Sequence, residues 1–136
     1  MRVALVSFCP AADKRTSSII KKLENGSSSR GNQVEVLNGF ENLANTRLTA
    51  FDYIAVVVQI KGLFQSKIPS RISEYLANSG SINGKKGCAL VLKSGFFSNK
   101  ACRRLMQIIE SEGVKLDYFE VIENEEHASI AGKKIG

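Results

Sequence analysis

The residues best equipped for chemistry lie together near the start of the chain, in Cys9-Pro10-Ala11-Ala12-Asp13-Lys14-Arg15-Thr16-Ser17-Ser18. A thiol, two adjacent cations and three hydroxyls follow the apolar run Val3–Phe8 directly. Three kinds of chemistry fit these types. Hydroxyls and cations at a helix start can hold a phosphate, because the first turn presents amide donors at the positive end of the helix dipole. A thiol beside an arginine can act as a nucleophile if its pKa is lowered. Thr16 or Ser17 can also simply cap the helix.

The elements around this stretch decide where it sits. Val3–Phe8, Tyr53–Ile60 and Cys88–Leu92 are nearly continuous apolar runs, the pattern of strands buried on both faces. Gln33–Leu37 and Leu116–Ile122 read as two further strands. Helical faces appear at Ile19, Ile20 and Leu23, at Ile72, Tyr75 and Leu76, and at Ala101, Leu105, Ile108 and Ile109. A weakly periodic stretch around Leu43 predicts one short helix. Asn124 predicts the cap of a last helix carrying Ala128, Ala131 and Ile135. Ser98 or Asn99 predicts a cap, and Gly113 a helix end.

This alternation specifies an α/β fold: one domain over residues 1–136, with a doubly wound five-stranded parallel sheet in the order 2-1-3-4-5. Ligands of such sheets bind beyond the C-terminal strand ends, where the strand order reverses. Three loops meet there: Cys9–Ser17, Lys61–Pro69 and Lys93–Asn99.

Composition narrows the function classes. The net charge is +6 over 136 residues, yet the cations come as scattered pairs with no basic run and no stacking-aromatic motif, which argues against nucleic acid. No apolar run is long enough to span a bilayer. Three cysteines, Cys9, Cys88 and Cys102, lack metal-ligand spacing and predict a reducing cytoplasm. Cys88 and Cys102 are expected to be small core residues. His127, the sole histidine, is expected inside the last helix and remote from the strand C-termini.

Over nearly its whole length the chain resembles the flavodoxin and NAD(P)H-dependent FMN-reductase superfamily. The first loop is similar to that family's Ser-Pro-Arg-x-x-Gly-Asn-Thr pattern: Pro10 and Thr16 match, Cys9 stands for Ser, and Lys14-Arg15 replace Gly-Asn. Phe64-Gln65-Ser66-Lys67-Ile68-Pro69 has the spacing of the family's Tyr-x-Gly-x-x-Pro. Ser94-Gly95-Phe96-Phe97-Ser98 occupies the place of the family's glycine-containing loop after strand 4. The resemblance implies non-covalent FMN binding. Cys9, Pro10, Lys14, Arg15, Thr16, Ser17 and Ser18 would lie at the phosphate, and Phe64, Ser66, Gly95, Phe96 and Phe97 beside the flavin ring. It also implies electron transfer with a redox protein partner, or NAD(P)H-dependent reduction of a small acceptor; a homodimer is compatible with it. The alternative is a cofactor-free module of the same fold that binds a protein partner.

Cys9-x5-Arg15-Thr16 also resembles the phosphate loop of low-molecular-weight cysteine phosphatases. There the resemblance implies a nucleophilic Cys9 and an Arg15 clamp. Pro10 removes an amide donor from such a ring, Asp13 opposes an anion, and no Asp precedes Pro10 or Pro69 to serve as the leaving-group acid. Cys9 is therefore not expected to act as a nucleophile.

Overall fold

The computed structural model describes residues 1–9, 14–41, 47–60, 69–93 and 98–136. Five parallel strands, β1 (Arg2–Phe8), β2 (Gln33–Asn38), β3 (Tyr53–Gln59), β4 (Lys86–Leu92) and β5 (Lys115–Ile122), form one sheet in the order β2-β1-β3-β4-β5. Among the described residues four α-helices accompany them: α1 (Lys14–Ser28), α2 (Arg71–Ala77), α3 (Ser98–Ser111) and α4 (Glu125–Gly132).

The three central strands are the three continuous apolar runs. Val3–Phe8, Tyr53–Val58 and Gly87–Leu92 are buried throughout, because helices cover both faces of the sheet there. β2 and β5 lie at the edges and are mostly half-buried or exposed. One core layer joins alternate strand residues to Ile72, Tyr75, Leu76, Leu105 and Ile109 of α2 and α3. The other joins the remaining alternates to Ile19, Leu23, Ala128 and Ala131 of α1 and α4. A fixed crossover hand explains why α2 and α3 lie opposite α1: the direction across the sheet reverses after β2, and α4, which follows the last strand, packs back on α1.

α1 and α4 cross closely. A Cβ on Gly132 would come within 2.6 Å of the Leu23 carbonyl oxygen, so the crossing requires glycine. The helix ends there, and Ile135, expected on α4, is buried beyond it instead. Ser27 Oγ and Asn32 Nδ2 both donate to the Ile135 carbonyl, at 2.9 and 3.1 Å, which pins the tail. Gly113 has φ 88° and closes α3 as predicted. The stretch around Leu43 lies largely outside the described residues, and a 3-10 turn follows at Leu48–Ala50. No described helix is long and apolar enough to cross a membrane.

Candidate functional site

β1 and β3 are neighbours, yet their chain connections run to opposite sides of the sheet; this is the reversal point. Phe8 pairs with Val58, so Cys9 and Gln59 stand together at the C-terminal edge. Cys9 is buried, and its thiol lies beside the Ser7 side chain and the Gln59 backbone. Burial pushes this thiol above its ordinary value, more than those hydrogen bonds lower it. A nucleophilic cysteine needs the opposite shift.

α1 already runs from Lys14, so Thr16 sits inside the first turn and is not its cap. Its hydroxyl donates to Gln59 Oε1 at 3.3 Å, which ties the start of α1 to the end of β3. Thr16 is buried, Ser18 is half-buried, and Lys14, Arg15 and Ser17 are exposed. Arg15 Nη2 donates to the Glu123 carbonyl at 3.0 Å, just past β5. The guanidinium thus leans across the top of the α1–α4 layer. The first turn of α1 carries no carboxylate. Cations at the positive end of a helix dipole are unfavourable on their own, and an anion placed there offsets both. Pro10, Phe64, Ser66, Gly95, Phe96 and Phe97 lie outside the described residues.

A second polar group at the same edge escapes the periodicity. Glu123 follows β5. Its N–H donates to His127 Nδ1 at 3.1 Å, its carbonyl accepts from Arg15, and its carboxylate meets Lys93 Nζ at 3.2 Å. His127 therefore stands beside the C-terminal end of β5, contrary to the expectation that it is remote. α4 starts immediately after the strand, and Asn124 caps it by accepting from the His127 N–H at 2.8 Å. With Nδ1 accepting, the neutral imidazole carries its proton on Nε2, which lies 3.9 Å from Glu120 Oε2. Lys93, Glu120, Glu123 and His127, with Ser98 and Asn99 of α3, line an open cavity of about 550 Å³. The available signals were modest: Gln59 is a polar residue at the end of an apolar run, and Glu123 and His127 are four apart.

No protein-family model matches the sequence, and no curated protein matches it. Solved structures do resemble it in shape. Two-electron reduced Megasphaera elsdenii flavodoxin superposes with a TM-score of 0.72 at 16% identity, over 96% of this chain and 98% of that one. A flavodoxin from the domain Archaea gives 0.68 at 18% identity, over 99% and 96%. The NAD(P)H:quinone oxidoreductase from Methanothermobacter marburgensis gives 0.70 at 14% identity, over 98% of each chain. The chain has the flavodoxin-like fold, with the strand order its sequence predicts.

Proposed function

We propose that this flavodoxin-like chain binds FMN non-covalently at the C-terminal edge of β1 and β3. It would serve in electron transfer, with a redox protein as partner or with NAD(P)H as donor to a small acceptor. The observation that carries the reading is the start of α1. At the reversal point of the sheet, a first turn with two cations and the Ser17 and Ser18 hydroxyls has the donor chemistry of a phosphate site, and Lys14 and Arg15 offset the charge of Asp13, which directly precedes it. When bound, the isoalloxazine supplies the redox chemistry.

The chain's own residues would bind and orient. Lys14 and Arg15 compensate the phosphate charge, and the Glu123 carbonyl holds Arg15 in place. Ser17 and Ser18 offer hydroxyls, while Thr16 fixes the first turn to Gln59. Cys9 is a buried thiol at the end of β1. Phe64, Ser66, Gly95, Phe96 and Phe97 are proposed to flank the ring. One domain in a reducing cytoplasm fits the three buried free thiols.

The test is a titration of FMN followed by its fluorescence. Saturable quenching at micromolar protein, stronger for FMN than for riboflavin, is expected, because only FMN carries the phosphate. No saturable quenching would reject the flavin reading and favour the cofactor-free interaction module.

A further inference from the structure

We propose that the outer edge of β5, together with α3, is a docking surface for a second copy of this chain, forming a two-fold dimer with a continuous sheet. Phe119 is the starting observation. It is 57% exposed on an edge strand. It forms one wall of a cavity of about 400 Å³ that Cys102, Arg103 and Met106 of α3, with Glu120 and Val121 of β5, also line. The opposite edge differs. Phe40, beyond β2, packs edge-on against Phe8 with ring centres 5.8 Å apart, and Arg71 Nη2 donates to the Phe40 carbonyl. Among the described residues Phe119 has no ring contact.

A large exposed apolar side chain at the rim of a cavity it helps to line, on a strand with an unpaired edge, provides a knob, a hole and a row of backbone partners on one patch. A two-fold interface requires that combination, since each copy must present both halves.

The charges favour a second copy over a partner of one sign. Arg103 and Glu110 are both exposed on α3 and stand two turns apart on one stripe, with Met106 between them. In an antiparallel pair of α3 helices, Arg103 of one copy faces Glu110 of the other about a centre near Met106. The sheet imposes the same symmetry, because a two-fold axis normal to it pairs the two β5 edges antiparallel. α3 packs on both β4 and β5. With strands about 4.8 Å apart, the two α3 helices then lie roughly 10 Å from each other, a helix-packing distance. The two Phe119 rings lie at the centre of the surface, each against Met106 and Val121 of the other copy.

The experiment is sedimentation velocity on the purified full chain across a concentration series up to submillimolar, with thermal melting in parallel. A concentration-dependent dimer is expected. Phe119→Asp should leave a monomer whose melting midpoint, extrapolated to low concentration, matches that of the parent. Arg103→Glu should weaken the dimer by about tenfold, and Arg103→Glu with Glu110→Arg should restore it. A parent chain that stays monomeric throughout would overturn the proposal and leave the groove to a partner of another kind. A dimer insensitive to Phe119→Asp, or a charge swap that fails to rescue, would also overturn it. If Phe119→Asp does not fold, the Arg103 and Glu110 variants decide the question alone.

Discussion

α1 and α4 lie in the same layer and begin at the same edge of the sheet, yet their first turns are opposite in chemistry. α4 is electrostatically complete: Asn124 caps it, and Glu125 and Glu126 complement the positive end of its dipole. α1 begins with Lys14-Arg15, directly after Asp13, and within its first turn carries two cations and no acid. The arginine even extends to a carbonyl at the start of α4. A helix that satisfies its own N-terminus has no use there for an external anion. A helix that accumulates positive charge at that end gains from one, and α1 is the helix that begins at the reversal point of the sheet. Position in the fold and local charge thus single out the same first turn.

Making α1 resemble α4 should have the largest effect. Lys14→Glu introduces a carboxylate where the flavin phosphate is proposed to lie. FMN affinity should fall by about tenfold while riboflavin is unaffected. Because the new charge suits the dipole, the cofactor-free protein should melt at the same temperature or slightly higher. Fluorescence titration and calorimetry on one variant read both signs. Equal losses for FMN and riboflavin would move the phosphate away from α1.

Making α4 resemble an uncapped helix should have a smaller effect, on a different quantity. Asn124→Ala leaves the His127 N–H without its acceptor and should cost about 1 kcal/mol of stability. Chemical denaturation measures it as a lower midpoint at unchanged slope. FMN affinity should hold, since this cap serves only its own helix.

The smallest effect concerns the thiol beneath α1. Burial raises the Cys9 pKa above that of an ordinary thiol in the folded chain. Above the ordinary thiol pKa the unfolded chain loses its thiol proton while the folded chain keeps it. The contribution of Cys9 to stability is therefore complete below the ordinary thiol pKa and is lost as pH rises through the folded-state pKa. Cys9→Ala should flatten that part of the stability–pH profile. The native thiol should also alkylate slowly at neutral pH, and p-nitrophenyl phosphate should not be hydrolysed. Metal-independent hydrolysis abolished by Cys9→Ser would instead make the α1 terminus a phosphatase loop.

The order of strands was readable in the chain because burial leaves a local record. Val3–Phe8, Tyr53–Ile60 and Cys88–Leu92 are apolar at nearly every position because helices cover both sides of them, and the alternation with helical faces then limits the topology. The Asn124 cap was readable for the same reason, since a cap bonds to residues two or three places away. Tertiary structure alone decided which side chains meet at the C-terminal edge. Thr16 looked like a cap and instead donates to Gln59, 43 residues further on. Arg15 bonds to Glu123, 108 residues away. His127 sits beside the end of β5 because α4 starts almost as soon as the strand stops. Periodicity records whether a residue is buried, but a side chain's partner depends on which strand ends the crossovers bring together, and no local pattern contains that information.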